Sequence, residues 1–118
     1  MSARKIALIG GDGVGPEVVA VGERVLDAIR EQRGRALEWE SFDLGAERFL
    51  RDGTTFPDDV RSRLKNEFHA VLLGAVGDRR VPENRHAHDI LFGMRFGFDL
   101  YANIRPVRLM PGIRSPLA

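Results

Sequence analysis

The 118-residue chain contains no cysteine. Disulfide bridges, thiolate catalysis and thiolate metal sites are therefore excluded. No sign of charge dominates either. Eighteen Lys and Arg face seventeen Asp and Glu, for a net charge of +1, and the basic residues are scattered along the chain. That balance gives no case for nucleic acid or an anionic membrane surface as a partner. No apolar run approaches the roughly 20 residues of a membrane-spanning helix. Met1–Lys5 leads straight into Ile6 with no signal-peptide core, so a cytoplasmic location is the default expectation. Repeats and low-complexity tracts are missing too. What is present is an ordinary globular composition, 43% hydrophobic and 30% charged. The length suffices for one small domain with a real core.

The hydrophobic pattern predicts an α/β fold. Lys5–Gly10 is a short continuous apolar run, as in a strand covered on both faces. GGDGVGPE follows, with Pro16 and Glu17 suited to a first helical turn. Val18, Val21, Val25 and Ile29 then recur at helical spacing and are expected to face the core, with Gly34 as a stop. Ala36–Phe42 alternates and reads as a half-exposed strand towards an edge. Gly45–Asp52 and a segment starting at Pro57 read as helices, the second with Val60, Leu64 and Phe68 on one side. Asp58 and Asp59 there complement the helix dipole. Ala70–Gly74 is a second dry run, expected as a central strand. The order β, α, β, α, α, β, α, β calls for an open, mostly parallel sheet with helices on both faces.

The stretch Asp89–Pro106, DILFGMRFGFDLYANIRP, carries the strongest functional signal. Ile90, Leu91, Met94 and Phe98 predict a helix, and Leu100–Val107 reads as a strand with Tyr101, Asn103 and Arg105 on one face. Pro106 disfavours a central ladder position near its end. Arg95 and Arg105 would then project from consecutive elements and can converge on one anion, since a guanidinium meets a carboxylate with two parallel hydrogen bonds. Two unrelated surface arginines are the competing reading. Gly93 and Gly97 are costly within a helix and would let a ligand or another backbone come close.

Ala75–Asp89 is the one long polar segment, just beyond the carboxyl end of a strand, where open α/β sheets bind ligands. Long loops in small domains usually have a use. Its His86 and His88 form an H-x-H pair, which lacks a third metal ligand and is assigned a loop role. The glycine turn is a weak dinucleotide fingerprint. Gly11-x-Gly13 is present, but Pro16 stands where a third glycine belongs, and Glu38 is the nearest candidate for the ribose acid. A tight turn bringing helix-terminal amides near a ligand explains it equally well. No Ser–His–Asp set or paired carboxylates can be assembled.

Together these segments resemble the β-decarboxylating 2-hydroxyacid dehydrogenases, which include isocitrate, 3-isopropylmalate, homoisocitrate and tartrate enzymes. The carrying residues are GDGVGPE at Gly11–Glu17, LLGAVG at Leu72–Gly77, Arg95 in LFGMR, DLYANIRP at Asp99–Pro106 and LMPG at Leu109–Gly112. The resemblance runs through all 118 residues. It implies a partial α/β domain of the isopropylmalate dehydrogenase type, with residues 100–118 leading towards a second domain. It also implies NAD (or NADP) as hydride acceptor, Mg²⁺ or Mn²⁺ held by residues absent from this chain, and a homodimer. Arg95 and Arg105 match the arginines that hold the substrate's malate carboxylates. Val14, Gly77, Asp78 and His88 match segments near the cofactor.

The family's catalytic tyrosine and lysine and its metal-binding aspartates lie further along, so this chain is expected to carry only part of a site and to be inactive alone. Tyr101 belongs to the DLYAN segment and is not that tyrosine. Leu91 and Phe92 stand where the isocitrate enzymes carry polar residues, which favours an alkyl substituent. The implied small 2-hydroxy acid is thus 3-isopropylmalate, of leucine biosynthesis. The Asp78–His88 segment and Phe96 depart from the usual isopropylmalate pattern, so a tartrate- or malate-type enzyme stays open. So does an inactive fragment acting only by association.

Overall fold

The computed structural model describes residues 3–117. Strand β1 (Arg4–Ile9) lies between β2 (Leu37–Phe42) and β3 (Ala70–Leu73), all parallel, in the order β2-β1-β3. The apolar run makes the central strand because both of its faces are covered: Ala7, Leu8 and Ile9 are all buried. Ala7 and Ile9 join one face, where Phe56, Leu64, Ile90 and Met94 complete the core. These come from α3 (Asp58–Glu67), α4 (Arg85–Gly97) and the segment before α3. Leu8 points the other way. Its register partner Leu72 meets Gly22 of α1 (Gly15–Arg33), so α1 covers the opposite face. Short α2 (Ala46–Asp52) packs against α4. β2 is an edge strand among the described residues, as its alternation predicts.

Four expectations are corrected. Val18, Val21, Val25 and Ile29 do not face the core; they are 40–58% exposed. The packed side of α1 runs instead through Gly15, Val19 and Gly22, whose small size lets the helix lie close to the sheet. Ala70–Leu73 is an edge strand among the described residues, because nothing there pairs with its outer side. Leu100–Val107 forms no strand. The segment is exposed throughout, with Tyr101 at 99% and Val107 at 94%, and among the described residues no strand pairs with it, so it has no ladder to join. Helix α4 begins at Arg85, within the segment expected as loop, after a 3₁₀ turn at Pro82–Asn84.

Gly93 is corrected too. The close neighbour is the Phe56 ring: a Cβ there would lie 2.6 Å from Phe56 Cδ1. At Gly97 the nearest atom would be Arg61 Cδ, at 3.8 Å. Gly93→Ala is therefore expected to lose about 1 kcal/mol, the helix gain being outweighed by overpacking. Gly97→Ala should be neutral or stabilising by up to about 1 kcal/mol. Denaturant unfolding measures both, and an equal gain at the two positions would refute the role given to Phe56.

Candidate functional site

Two loops meet at the carboxyl ends of β1 and β3. Residues 10–14 lead from β1 into α1, and residues 74–81 leave β3. Glycine lets their backbones touch. Gly11 has φ +74°, and a Cβ on it would run into the Ala75 carbonyl. The amide of Asp12 donates to that carbonyl at 2.7 Å.

The Asp12 carboxylate is buried between these loops. It accepts the amide of Ala46 at 2.6 Å and that of Gly77 at 2.8 Å, and it faces His86 Nε2 at 2.7 Å. One side chain thus connects the glycine turn, the start of α2, the loop after β3 and the first turn of α4. Burial works against its charge, but the two amides and His86 outweigh it, so its pKa lies below the ordinary carboxylate range. Facing an ionised acceptor, His86 Nε2 carries the hydrogen and donates it. The ring is fully buried and stacks on Phe49, with centroids 6.4 Å apart, and its Nδ1 has no partner among the described residues.

Of the residues expected near a cofactor, Val14, Gly77 and Asp78 stand on these two adjoining loops. Val14 is exposed at the start of α1, which has no side-chain cap. The Gly77 amide is committed to Asp12. The Asp78 amide donates to Asn84 Oδ1 at 2.8 Å, and its carboxyl is held down to about 2 by hydrogen bonds from Arg80. Arg80 also reaches Glu47 of α2. His88 lies elsewhere, on the outward side of α4, its ring 4.6 Å from that of Phe92. The loop role given to the His pair is corrected: both residues are helical, and two positions apart on a helix they diverge, one buried and one exposed. Among the described residues no group of three His, Cys, Asp or Glu could hold a metal ion.

Leu91 and Arg95 sit one turn apart on α4 and line one groove of about 600 Å³ beside β3 and α3, together with Leu73, Met94 and Phe98. The Arg95 guanidinium lies 5.5 Å from the centre of the Phe92 ring. Arg105 is on the exposed segment after α4 and forms no wall of this groove. The structure thus brings Leu91 to Arg95 and leaves Arg105 apart. Asp12 and His86 went unnoticed as site-building residues in the sequence. The available signal was an acid between two glycines at the end of a buried strand, and a histidine in the segment after another.

A family model described as isocitrate/isopropylmalate dehydrogenase matches residues 5–118. The 3-isopropylmalate dehydrogenase of Thermobifida fusca is 48% identical over 120 residues, covering 100% of this chain and 34% of that protein. That of Frankia casuarinae is 49% identical over 114 residues, covering 97% of this chain and 32% of that protein. The chain thus spans about a third of the length of these curated relatives. Among solved structures, a β-decarboxylating dehydrogenase from Thermococcus kodakarensis aligns over 83% of this chain and 27% of its own, with a TM-score of 0.65 and 26% identity. A Thermus thermophilus protein aligns over 98% of this chain and 22% of its own, with a TM-score of 0.71 and 30% identity.

Proposed function

The chain belongs to the isocitrate/isopropylmalate dehydrogenase family, and from that membership we propose that it is the amino-terminal part of the large α/β domain of a 3-isopropylmalate dehydrogenase. Residues 100–118 lead towards the second domain. The whole enzyme oxidises a 2-hydroxy acid at the expense of NAD and releases CO₂. The relatives with identities of 48% and 49% support the reaction class. The observation that carries the substrate choice is Leu91 beside Arg95 on one groove. Arg95 supplies the charge that meets a carboxylate, and Leu91 supplies an apolar surface for an alkyl substituent. Arg105 is assigned to the second carboxylate contact.

The residues present fit a nicotinamide cofactor at the glycine turn. Gly13 has open space above its α-carbon, and the first turn of α1 carries no side-chain cap. Exposed backbone there, with Val14, Gly77 and Asp78 alongside, can border a polar ligand. NAD, when bound, takes the hydride. The described residues supply no metal-binding set, so no metal step is assigned to them. The homodimer and the cytoplasmic location belong to the same reading.

The test is an assay of the full-length protein carrying this segment, supplied with 3-isopropylmalate, NAD and Mg²⁺ or Mn²⁺. Substrate-dependent NADH formation and CO₂ release are expected. The 118-residue chain alone should give neither. Absence of NADH with every 2-hydroxy acid offered to the full-length protein would overturn the reading.

A further inference from the structure

Asp12 could hold its two loops together with the amides of Ala46 and Gly77 alone. What the third contact adds is a tie to α4. His86 is in the first turn of that helix, and Ile90 and Met94 continue the same buried side. Leu91 and Arg95 are carried on the adjoining side. The far end of α4 is seated by Met94 in the apolar core. At the near end, Asn84 precedes the helix in a left-handed conformation and offers no side-chain cap. Asn84 Oδ1 instead accepts the Asp78 amide and ties that end to the loop after β3, while its tie to the glycine turn falls to His86. The charged groups facing its ring are Asp12 from the glycine turn and Asp78 from the loop after β3, the latter paired with Arg80. α2 contributes the uncharged Phe49, stacked on the ring.

We propose that His86 is a positioning residue: by donating its Nε2 hydrogen to Asp12, it fixes α4, and with it Leu91 and Arg95, relative to the glycine turn and the Gly77 loop. The inference rests on the dehydrogenase reading for its catalytic consequence but not for its structural one. The neutral ring is enough for this role, since only Nε2 needs a hydrogen. A side chain of similar volume without a donor would keep the packing against Phe49 and lose the tie. An amide side chain would keep a donor.

The experiment compares His86→Leu and His86→Gln with wild type in the full-length protein, by amide exchange and by steady-state kinetics. In His86→Leu, amides of residues 45–49, 74–81 and 85–90 should exchange about tenfold faster, as expected for loss of one hydrogen bond to a charged acceptor, while those of β1 stay unchanged. In the same variant kcat/KM should fall about tenfold, with the loss chiefly in kcat, because a displaced Arg95 serves the transition state poorly. His86→Gln should restore most of both losses. Unchanged exchange in the Leu variant overturns the proposal, as does a Gln variant no better than Leu. If His86→Leu does not fold, His86→Gln with wild-type exchange and kcat supports the donor role, and a Gln variant impaired in both overturns it. If the wild type shows no dehydrogenase activity, the functional reading fails while the exchange comparison still decides the tie.

Discussion

A full-length enzyme carrying this segment is expected to prefer 3-isopropylmalate to isocitrate by a factor on the order of a hundred or more in kcat/KM. The preference follows from the pairing of Leu91 with Arg95, which the helix repeat places one turn apart and which share a groove wall. A substrate whose carboxylate is held by Arg95 brings its C3 substituent to Leu91. An alkyl group there buries apolar area, each methylene contributing about 0.8 kcal/mol. A carboxylate there loses water and gains no partner, which costs more than the alkyl group gains. Leu91→Asn or Leu91→Ser should narrow the gap. The measurement is kcat/KM for isopropylmalate, isocitrate, tartrate and malate with wild type and both variants. A wild type favouring isocitrate would defeat the specificity argument and leave family membership intact. One favouring tartrate or malate would show the pocket closed by Phe92 or Phe96.

Arg95→Met and Arg105→Met in the same enzyme should each lower kcat/KM by about ten- to a hundredfold or more, matching a charge-assisted contact of roughly 1.5–3 kcal/mol. Arg→Lys should recover only part, because a single ammonium cannot reproduce the two-pronged geometry. Arg79 and Arg114 are exposed positions outside the groove and serve as controls. Arg95 already stands on the groove with its guanidinium over Phe92. Arg105 lies on an exposed extended segment, so its participation requires that segment to close on the substrate. Wild-type kcat/KM in Arg105→Met would remove it from the substrate contacts.

The parts of the fold that could be read from sequence are those where one physical effect dominates. The dry runs at Lys5–Gly10 and Ala70–Gly74 had to hold strands, and they do, over Arg4–Ile9 and Ala70–Leu73, the second at an edge among the described residues and not at the centre. Leu64 with Val60 and Phe68 had to face a core, and does. The misreadings occur where two effects compete. In α1 the apolar stripe from Val18 to Ile29 suggested the buried side. Close packing on a sheet instead selected Gly15, Val19 and Gly22, because small residues permit the shortest approach. In α4 the letters of Arg85–Asp89 suggested loop, because only His86 and Ala87 among them are buried and one of those is polar. Hydrophobic periodicity cannot register a buried histidine that is satisfied by a distant carboxylate. Leu100–Val107 has strand composition, but a strand is a property of a pair of segments, and the described residues provide no second member.

Asp12 also bears on the order in which the chain can assemble. The three partners of its side chain lie 34, 65 and 74 positions further along, so the bonds to Gly77 and His86 cannot form until most of the described chain has been brought together. Closing such loops costs entropy before any contact repays it, which places those two bonds after the helices and the first strand pairing. Interactions formed that late act on the rate of unfolding much more than on the rate of folding. The carboxylate therefore governs how long the folded chain persists, while the speed at which it folds is set by the apolar runs and the helices.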